Sequence, residues 1–505
     1  MKKYRIITIF ALLLLVCGKK EPQEQAAVIA RVGDREITLA EFIRRAEYTI
    51  RPPYLKGNYY LHKKMILNSL LAEKMLALEA GTDNELYRSP EFQNYIQGRK
   101  EQAMRKWLYL KEGFDKVKLT DEQVRNAYRW AGREYKVAYF SLPSKSLADS
   151  VQKMLNTPGV SFEDAYRHLT GENVPPTRDV KWDREGNDAI IDALYSDTLR
   201  VGQVVGPIRI DEKWYMALKI LGWNESIAVT DEQIKMRLRD VKERLARREA
   251  EKIYEKFVLK VMKGKTVKFD EKTFFKLVDV VKPFYVVSPE DKEKLFNAKF
   301  WGDDQQQRQV QIDENSFEEI KDWPLLTIDG QVWTVERLRD EMSRHPLVFR
   351  KKNLTDRNFP EQFKLAVVDL IRDKYLTREA YKRKYDRVPE VVQQTYMWQD
   401  HALALWQQQK YLRETGCKYN FYKDYMKVLD EYMNAYVDSL QKKYSDKVEI
   451  DMDMLEDVKL TRIDMFVIEK NVPYPIMVPS FPVVTTDSRI DYGKNIGKRR
   501  AQSAE

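Results

Sequence analysis

One stretch of this chain occurs twice, and the duplication constrains the fold more than any other feature. The first copy runs from Val32 to Glu112 and the second from Ile328 to Glu414. Val32-Gly33-Asp34-Arg35-Glu36-Ile37-Thr38-Leu39 corresponds to Ile328-Asp329-Gly330-Gln331-Val332-Trp333-Thr334-Val335. Further on, Leu71-Ala72-Glu73-Lys74-Met75-Leu76 lines up with Ile371-Arg372-Asp373-Lys374-Tyr375-Leu376, and Glu79-Ala80 with Glu379-Ala380. Pro90 matches Pro389, Ala103 matches Ala402, and Trp107 matches Trp406, with the offset held between 296 and 300. A register kept across a turn, two helices and a tryptophan means that a helical module has been duplicated.

A shorter echo completes the module. Lys265-Thr266-Val267-Lys268-Phe269-Asp270 corresponds to Asp446-Lys447-Val448-Glu449-Ile450-Asp451, each after a helix containing Tyr and Lys. Each module therefore reads as a helical first half, a long returning helix and a short strand. In copy two the halves join around Glu414–Tyr422, whereas in copy one roughly a hundred residues lie between them. Insertion into a surface loop requires only that the loop ends lie close together.

Local signals agree with this plan. Val28 to Val32 reads as a strand, Gly33-Asp34 as a tight turn and Glu36-Ile37 as the return. Thr38 is a helix N-cap, and Glu41 three residues on suggests a capping box. His62 to Ala80 has helical periodicity closed by Gly81, and Pro90 opens a further helix in which Phe92, Tyr95, Ala103, Trp107 and Leu110 recur inward. Thr120 and Thr230 each begin a Thr-Asp-Glu-Gln helix start, and the second helix is long.

The 505 residues allow about three domains at ~150 residues each. With 43% hydrophobic and 33% charged residues, the composition is that of a globular chain. The net charge of +10 is interspersed, without the basic stripe that a nucleic-acid partner requires, and no such partner is expected. His62, His168, His345 and His401 lack metal-ligand spacing, so neither a metal nor another cofactor is expected.

Residues 1–16 have a basic start at Lys2, Lys3 and Arg5, then an apolar run from Ile6 to Val16. That run is well short of the ~20 residues that span a bilayer, and it predicts an export signal peptide. Only Cys17 and Cys417 are present, so no internal disulfide framework is predicted and packing must supply stability.

Leu14-Leu15-Val16-Cys17 resembles a bacterial lipoprotein lipobox, departing from it at Val16, where a small residue is usual. The resemblance implies lipidation of Cys17, an anchor on the periplasmic side of the cell envelope, and placement at the outer membrane. Ser161-Phe162-Glu163-Asp164-Ala165 and Leu199-Arg200-Val201-Gly202-Gln203-Val204-Val205-Gly206-Pro207-Ile208 resemble parvulin-type (PpiC-like) peptidyl-prolyl isomerase domains. The duplicated module, beginning Ala30-Arg31-Val32-Gly33-Asp34, is similar to the N-terminal chaperone module of SurA-type periplasmic foldases.

The fold these features imply is mainly α with a small α+β insert: two SurA-like helical modules, the first interrupted by a degenerate parvulin-like domain. The expected boundaries are a signal peptide at 1–16 and a lipidated tether at 17–27. A first module follows at 28–133 with 224–282, enclosing an insert at 134–223. A linker at 283–321, a second module at 322–485 and a disordered tail at 486–505 complete the chain. Parvulin domains carry a histidine in the first strand and another in the last, and these positions fall here at Tyr139 and Tyr215. Isomerisation must lower a barrier of ~18–20 kcal/mol, which calls for a shaped apolar pocket and a polar pair. Two tyrosines able to hydrogen-bond each other but bulky enough to fill the pocket imply weak or lost activity.

The function implied is a membrane-anchored envelope chaperone that binds unfolded or nascent exported polypeptides, outer-membrane proteins among them. Tyr54, Tyr59, Tyr60 and Met65 are candidate groove residues, since aromatic and Met side chains adapt to varied apolar partners. Two alternatives are an active prolyl isomerase using Tyr139 or Tyr215, and a non-catalytic scaffold for one envelope assembly.

Overall fold

The computed structural model describes residues 27–55, 59–196, 198–211, 213–286, 314–351, 353–460 and 477–496. The expected signal peptide, Cys17 and the tether up to residue 26 lie outside the described residues, as do 287–313 of the linker and 497–505 of the tail. Among the described residues no helix is long and apolar enough to cross a membrane.

The chain begins with strands β1 (Val28–Val32) and β2 (Arg35–Thr38), then helices α1 (Leu39–Glu47), α2 (Tyr59–Ala80), α3 (Glu85–Arg88) and α4 (Pro90–Glu112). Next come α5 (Asp121–Ala131), β3 (Arg133–Leu142), α6 (Lys145–Leu155), α7 (Phe162–Thr170), β4 (Thr177–Lys181) and α8 (Asp188–Tyr195). They are followed by β5 (Val204–Arg209), β6 (Tyr215–Glu225), the long α9 (Asp231–Met262), β7 (Val267–Phe269) and α10 (Glu271–Tyr285). After them stand α11 (Glu314–Glu318), β8 (Pro324–Ile328), β9 (Gln331–Thr334), α12 (Val335–Arg344), α13 (Phe359–Lys382) and α14 (Pro389–Glu414). The described chain closes with α15 (Phe421–Val428), a π-helical turn (Leu429–Met433), α16 (Asn434–Tyr444), β10 (Val448–Ile450), α17 (Met452–Asp457) and β11 (Lys494–Asn495). The fold is mainly α with a small α+β portion.

Two compact units result. Among the described residues one holds 27–105, 264–460 and 477–496, and the other holds 106–263. In the first, both hairpins turn at left-handed residues: Gly33 in copy one, and Asp329 with Gly330 in copy two, where two successive positive φ angles suit a two-residue turn. The Thr38 hydroxyl accepts from the Glu41 N–H at 3.0 Å and caps α1, and Thr334 caps α12 in the same way. Glu41 closes no capping box; its carboxylate meets Lys74 at 3.2 Å.

The sequence predicts that each copy closes its own core, and the strand pairing is reciprocal instead. The β1–β2 hairpin of copy one takes β10 of copy two as its third strand, with Ala30 opposite Ile450. The β8–β9 hairpin of copy two takes β7 of copy one, with Ile328 opposite Val267. Helices follow the strands. One core joins Phe42, Ile66 and Leu70 to Val437, Leu440 and Val448; the other joins Phe274, Leu277 and Val281 to Trp333, Phe359 and Phe363. α4 meets copy two through Arg105, which donates to the Thr377 hydroxyl at 2.8 Å. Gly98 permits a close approach there, for a Cβ at that position would collide with the carbonyl oxygen of Arg344. The separate modules at 28–133 with 224–282 and at 322–485 are thus replaced by two mixed cores. Similar hairpins accept similar third strands, so exchange substitutes one contact for an equivalent one at little energetic difference.

The second unit is built on an antiparallel sheet in the order β4-β3-β6-β5. One face packs Tyr135, Val137, Leu218 and Ile220 against Trp130 of α5, Ile190 and Leu194 of α8, and Val241 of α9. The other packs Phe140, Leu142 and Ala217 against Val151 of α6 and Phe162 and Ala165 of α7. The insert expected at 134–223 therefore does not close alone: residues of α5 and α9 complete its core.

Both expected unstructured boundaries also shift. Phe317 and Ile320, placed in the linker, are buried in the second core. Residues 486–496, placed in the disordered tail, are ordered: Ile490 is buried, the Tyr492 hydroxyl donates to Asn68 at 2.9 Å, and β11 pairs parallel with β10. Two apolar anchors and a strand edge outweigh the polar composition around them.

Candidate functional site

Tyr139 lies on β3 and Tyr215 opens β6, the two central strands of the second unit's sheet. Directly opposed residues of an antiparallel pair share a face, and faces alternate along each strand. Tyr139 is opposite Leu218, and Tyr215 is opposite Leu142. Tyr139 accordingly packs with Val137 and Leu218 on the α5–α8 side, while Tyr215 packs with Leu142 and Ala217 on the α6–α7 side. The two phenols occupy opposite faces, so the hydrogen bond that two such tyrosines could make does not form.

Besides Leu218 and Ile220, β6 presents Met216 on the face of Tyr139. Arg178 of β4, opposite Val137, joins them. Its guanidinium carbon is 5.5 Å from the centre of the Tyr139 ring, and Nη2 is 4.0 Å from the Met216 sulfur. Glu185 pairs with the same guanidinium at 3.0 Å. A cation held over a phenol ring and beside a thioether can stack and attract. It supplies no pair of polar groups on either side of a bound amide.

Polar chemistry of a different kind is concentrated in the first unit. Arg45 and Glu73, both fully buried, share two hydrogen bonds of 2.9 and 2.8 Å. His401 Nδ1 lies 2.8 Å from the same carboxylate, and its Nε2 lies 3.2 Å from the Ser480 hydroxyl. Burial pushes the Glu73 carboxyl up, but the charge of Arg45 and the contact with His401 outweigh it and hold the group well below the ordinary carboxylate range. Beside it, Lys74 contacts Glu41 at 3.2 Å and Asp400 at 3.1 Å, and Arg35 also pairs with Asp400. Glu73 and Lys74 come from copy one, whereas Asp400 and His401 come from copy two. The exchange of helices is what brings this network together.

No protein-family model matches the chain, and no curated protein sequence matches it. Among solved structures it is similar to the foldase protein PrsA from Streptococcus pneumoniae, at 14% identity. That match covers 42% of this chain and 84% of the other, with a TM-score of 0.20, and a superposition this loose carries no argument.

Of the four expected groove residues, Met65 is buried in the first core and Tyr54 is half-buried against it. Tyr60 is exposed, with Lys64 Nζ 4.6 Å from its ring centre, and the Tyr59 side chain lies outside the described residues. Trp107, expected to point inward, is half-buried under Lys111, and α4 buries Met104, Leu108 and Tyr109 instead.

Met216, Arg178 and Glu185 escaped sequence reasoning for a specific reason. Along β3 the pairing with β6 slips by one residue between Lys136 and Val137. One extra residue reverses which partners share a face. The bulge therefore decides whether Tyr139 looks at Tyr215 or at Met216, and no local signal announces it.

Proposed function

We propose that this chain is a membrane-anchored chaperone of the bacterial cell envelope. It holds unfolded exported polypeptides, and its α+β unit retains a parvulin-type framework without prolyl isomerase catalysis. The observation that carries the second part is the register of β3 on β6. It separates Tyr139 from Tyr215 and leaves Tyr139 with Met216 and Arg178, whose guanidinium is already engaged by Glu185. Holding without turnover is supported by apolar surface in the same unit. Ile227, Val229, Ile234 and Met236 are all exposed within ten residues of chain, and exposed apolar side chains of this kind are available to an apolar partner. The anchor rests on the Leu14-Leu15-Val16-Cys17 motif, which also supports periplasmic exposure at the outer membrane.

The test uses the chain from residue 18 onward in two assays. In a proline-peptide exchange assay the cis-to-trans rate stays at the uncatalysed background, and Tyr139→Phe and Tyr215→Phe change nothing. In an aggregation assay with an unfolded outer-membrane protein, the chain delays turbidity at stoichiometric amounts. Catalysis that either substitution removes would establish an active isomerase instead. Unaltered aggregation would remove the chaperone reading.

A further inference from the structure

Residues 477–490 belong to no helix or strand, yet they are packed into the first unit as an extended strap. Phe481, Val484 and Thr485 are buried there, with Pro479 and Pro482 between and beside them. An irregular buried segment must satisfy its backbone polar groups elsewhere, and here side chains of the unit do so. Arg45 donates to the Ser480 carbonyl at 2.7 Å, Gln408 to that of Val483 at 3.2 Å, and Asn68 to that of Asp487 at 2.8 Å. The Tyr54 hydroxyl donates to the Thr485 carbonyl at 3.4 Å, and the Asn434 side-chain oxygen accepts from the Thr486 N–H at 3.0 Å.

Every one of those five strap groups is a main-chain atom that any residue carries. A seat of this kind reads chiefly an extended backbone and apolar side chains; the strap adds hydroxyl contacts of Ser480 with His401 at 3.2 Å and of Thr485 and Thr486 with Asn434 at 2.9 Å each, which another occupant would make only with polar side chains at those places. Arg45, Asn68 and Gln408 are themselves buried, so they need a carbonyl or its equivalent whenever the strap is absent. The duplication supplies an internal comparison. The positions of copy two that correspond to Arg45 and Asn68 are Glu341 and Val368. These two donors to the strap therefore have no counterpart in copy two.

We propose that this seat is the client-binding groove and that the strap is its resident occupant, displaced by an extended, apolar, proline-interrupted segment of an unfolded polypeptide. The proposal rests on the chaperone reading above and adds the location and mode of binding to it. Competition with a tethered occupant lowers the apparent affinity by the fraction of molecules whose groove is open. Weakening the strap therefore tightens client binding.

The deciding measurement is hydrogen exchange on the chain from residue 18, free and saturated with reduced, carboxymethylated α-lactalbumin as a permanently unfolded probe. The expected result is loss of protection at amides 480–490 on binding, while α2 and β1 keep theirs. In parallel, Phe481→Ala with Val484→Ala should tighten probe binding about tenfold. Saturating binding with unchanged strap protection would make the strap a permanent part of the core; the seat proposal would fall and the chaperone reading would stand. Absence of probe binding would overturn both. Should the double variant not fold, exchange on the unaltered chain still decides.

Discussion

Arg45→Met should be among the most damaging single changes in the first unit, although it replaces a charged residue with an apolar one of comparable length. Arg45 and Glu73 are fully buried and doubly hydrogen-bonded, and the third Arg45 bond reaches the Ser480 carbonyl at 2.7 Å. Without the guanidinium, Glu73 keeps only the His401 contact at 2.8 Å. A buried pair adds little net stability, because desolvation cancels most of the attraction. Deleting one partner leaves an uncompensated interior charge, at about 3–5 kcal/mol. Glu73→Leu strands Arg45 and should cost a similar amount. The double variant strands neither charge, so its loss is limited to the Ser480 carbonyl and His401 losing partners, about 1–3 kcal/mol. The coupling energy should therefore be at least about 3 kcal/mol in favour of the double variant. Urea unfolding followed by near-ultraviolet circular dichroism gives the totals, and native-state exchange at α2 amides assigns them to this unit. Acid adds a sign: Glu73 titrates lower when folded, so its contribution is present above ~4.3 and fades as pH falls towards the folded value. Single costs that simply add up to that of the double variant would refute the buried-pair reasoning.

Two further outcomes test the exchange of strands and the second unit. Val448→Asp places a charge at a fully buried position opposite Val32. It should loosen amides of β1 and β2, which belong to the other copy, and leave β8 and β9 protected; the reverse pattern in hydrogen exchange would contradict the exchange. Burial, helped by the nearby Asp188 carboxylate, pushes the Glu251 carboxyl up to about 7. Between ~4.3 and about 7 the folded state then binds more protons than the unfolded chain, so stability falls as pH rises through that window. Glu251→Gln should flatten this fall, recovering on the order of 1 kcal/mol at pH 8 once solvent screening is allowed for. Equal melting-temperature differences between pH 5 and pH 8 in both proteins would count against it.

Much of the local structure is legible in the sequence. Thr120 and Thr230 each close a capping box, the hairpins turn where Gly33 and Gly330 stand, and strands occupy both 267–269 and 448–450. These features depend on residues within about four positions of one another, where side-chain reach and backbone preference settle the outcome. The candidate site was less legible. Tyr139 and Tyr215 do lie on the two central strands, but a one-residue bulge at Leu221 of β6 in the pairing with β3 assigns them to opposite faces.

The sequence by itself determined the duplicated module, its caps and turns, and the α+β stretch that interrupts it. Tertiary structure alone decided which hairpin received which third strand, that residues 477–496 pack into the first unit, and that Arg45, Glu73 and His401 meet. The reason is energetic. A cap or turn has one nearby partner, whereas β7 and β10 each face two hairpins of similar chemistry. The choice between near-equal pairings rests on the summed packing of the helices that travel with each strand.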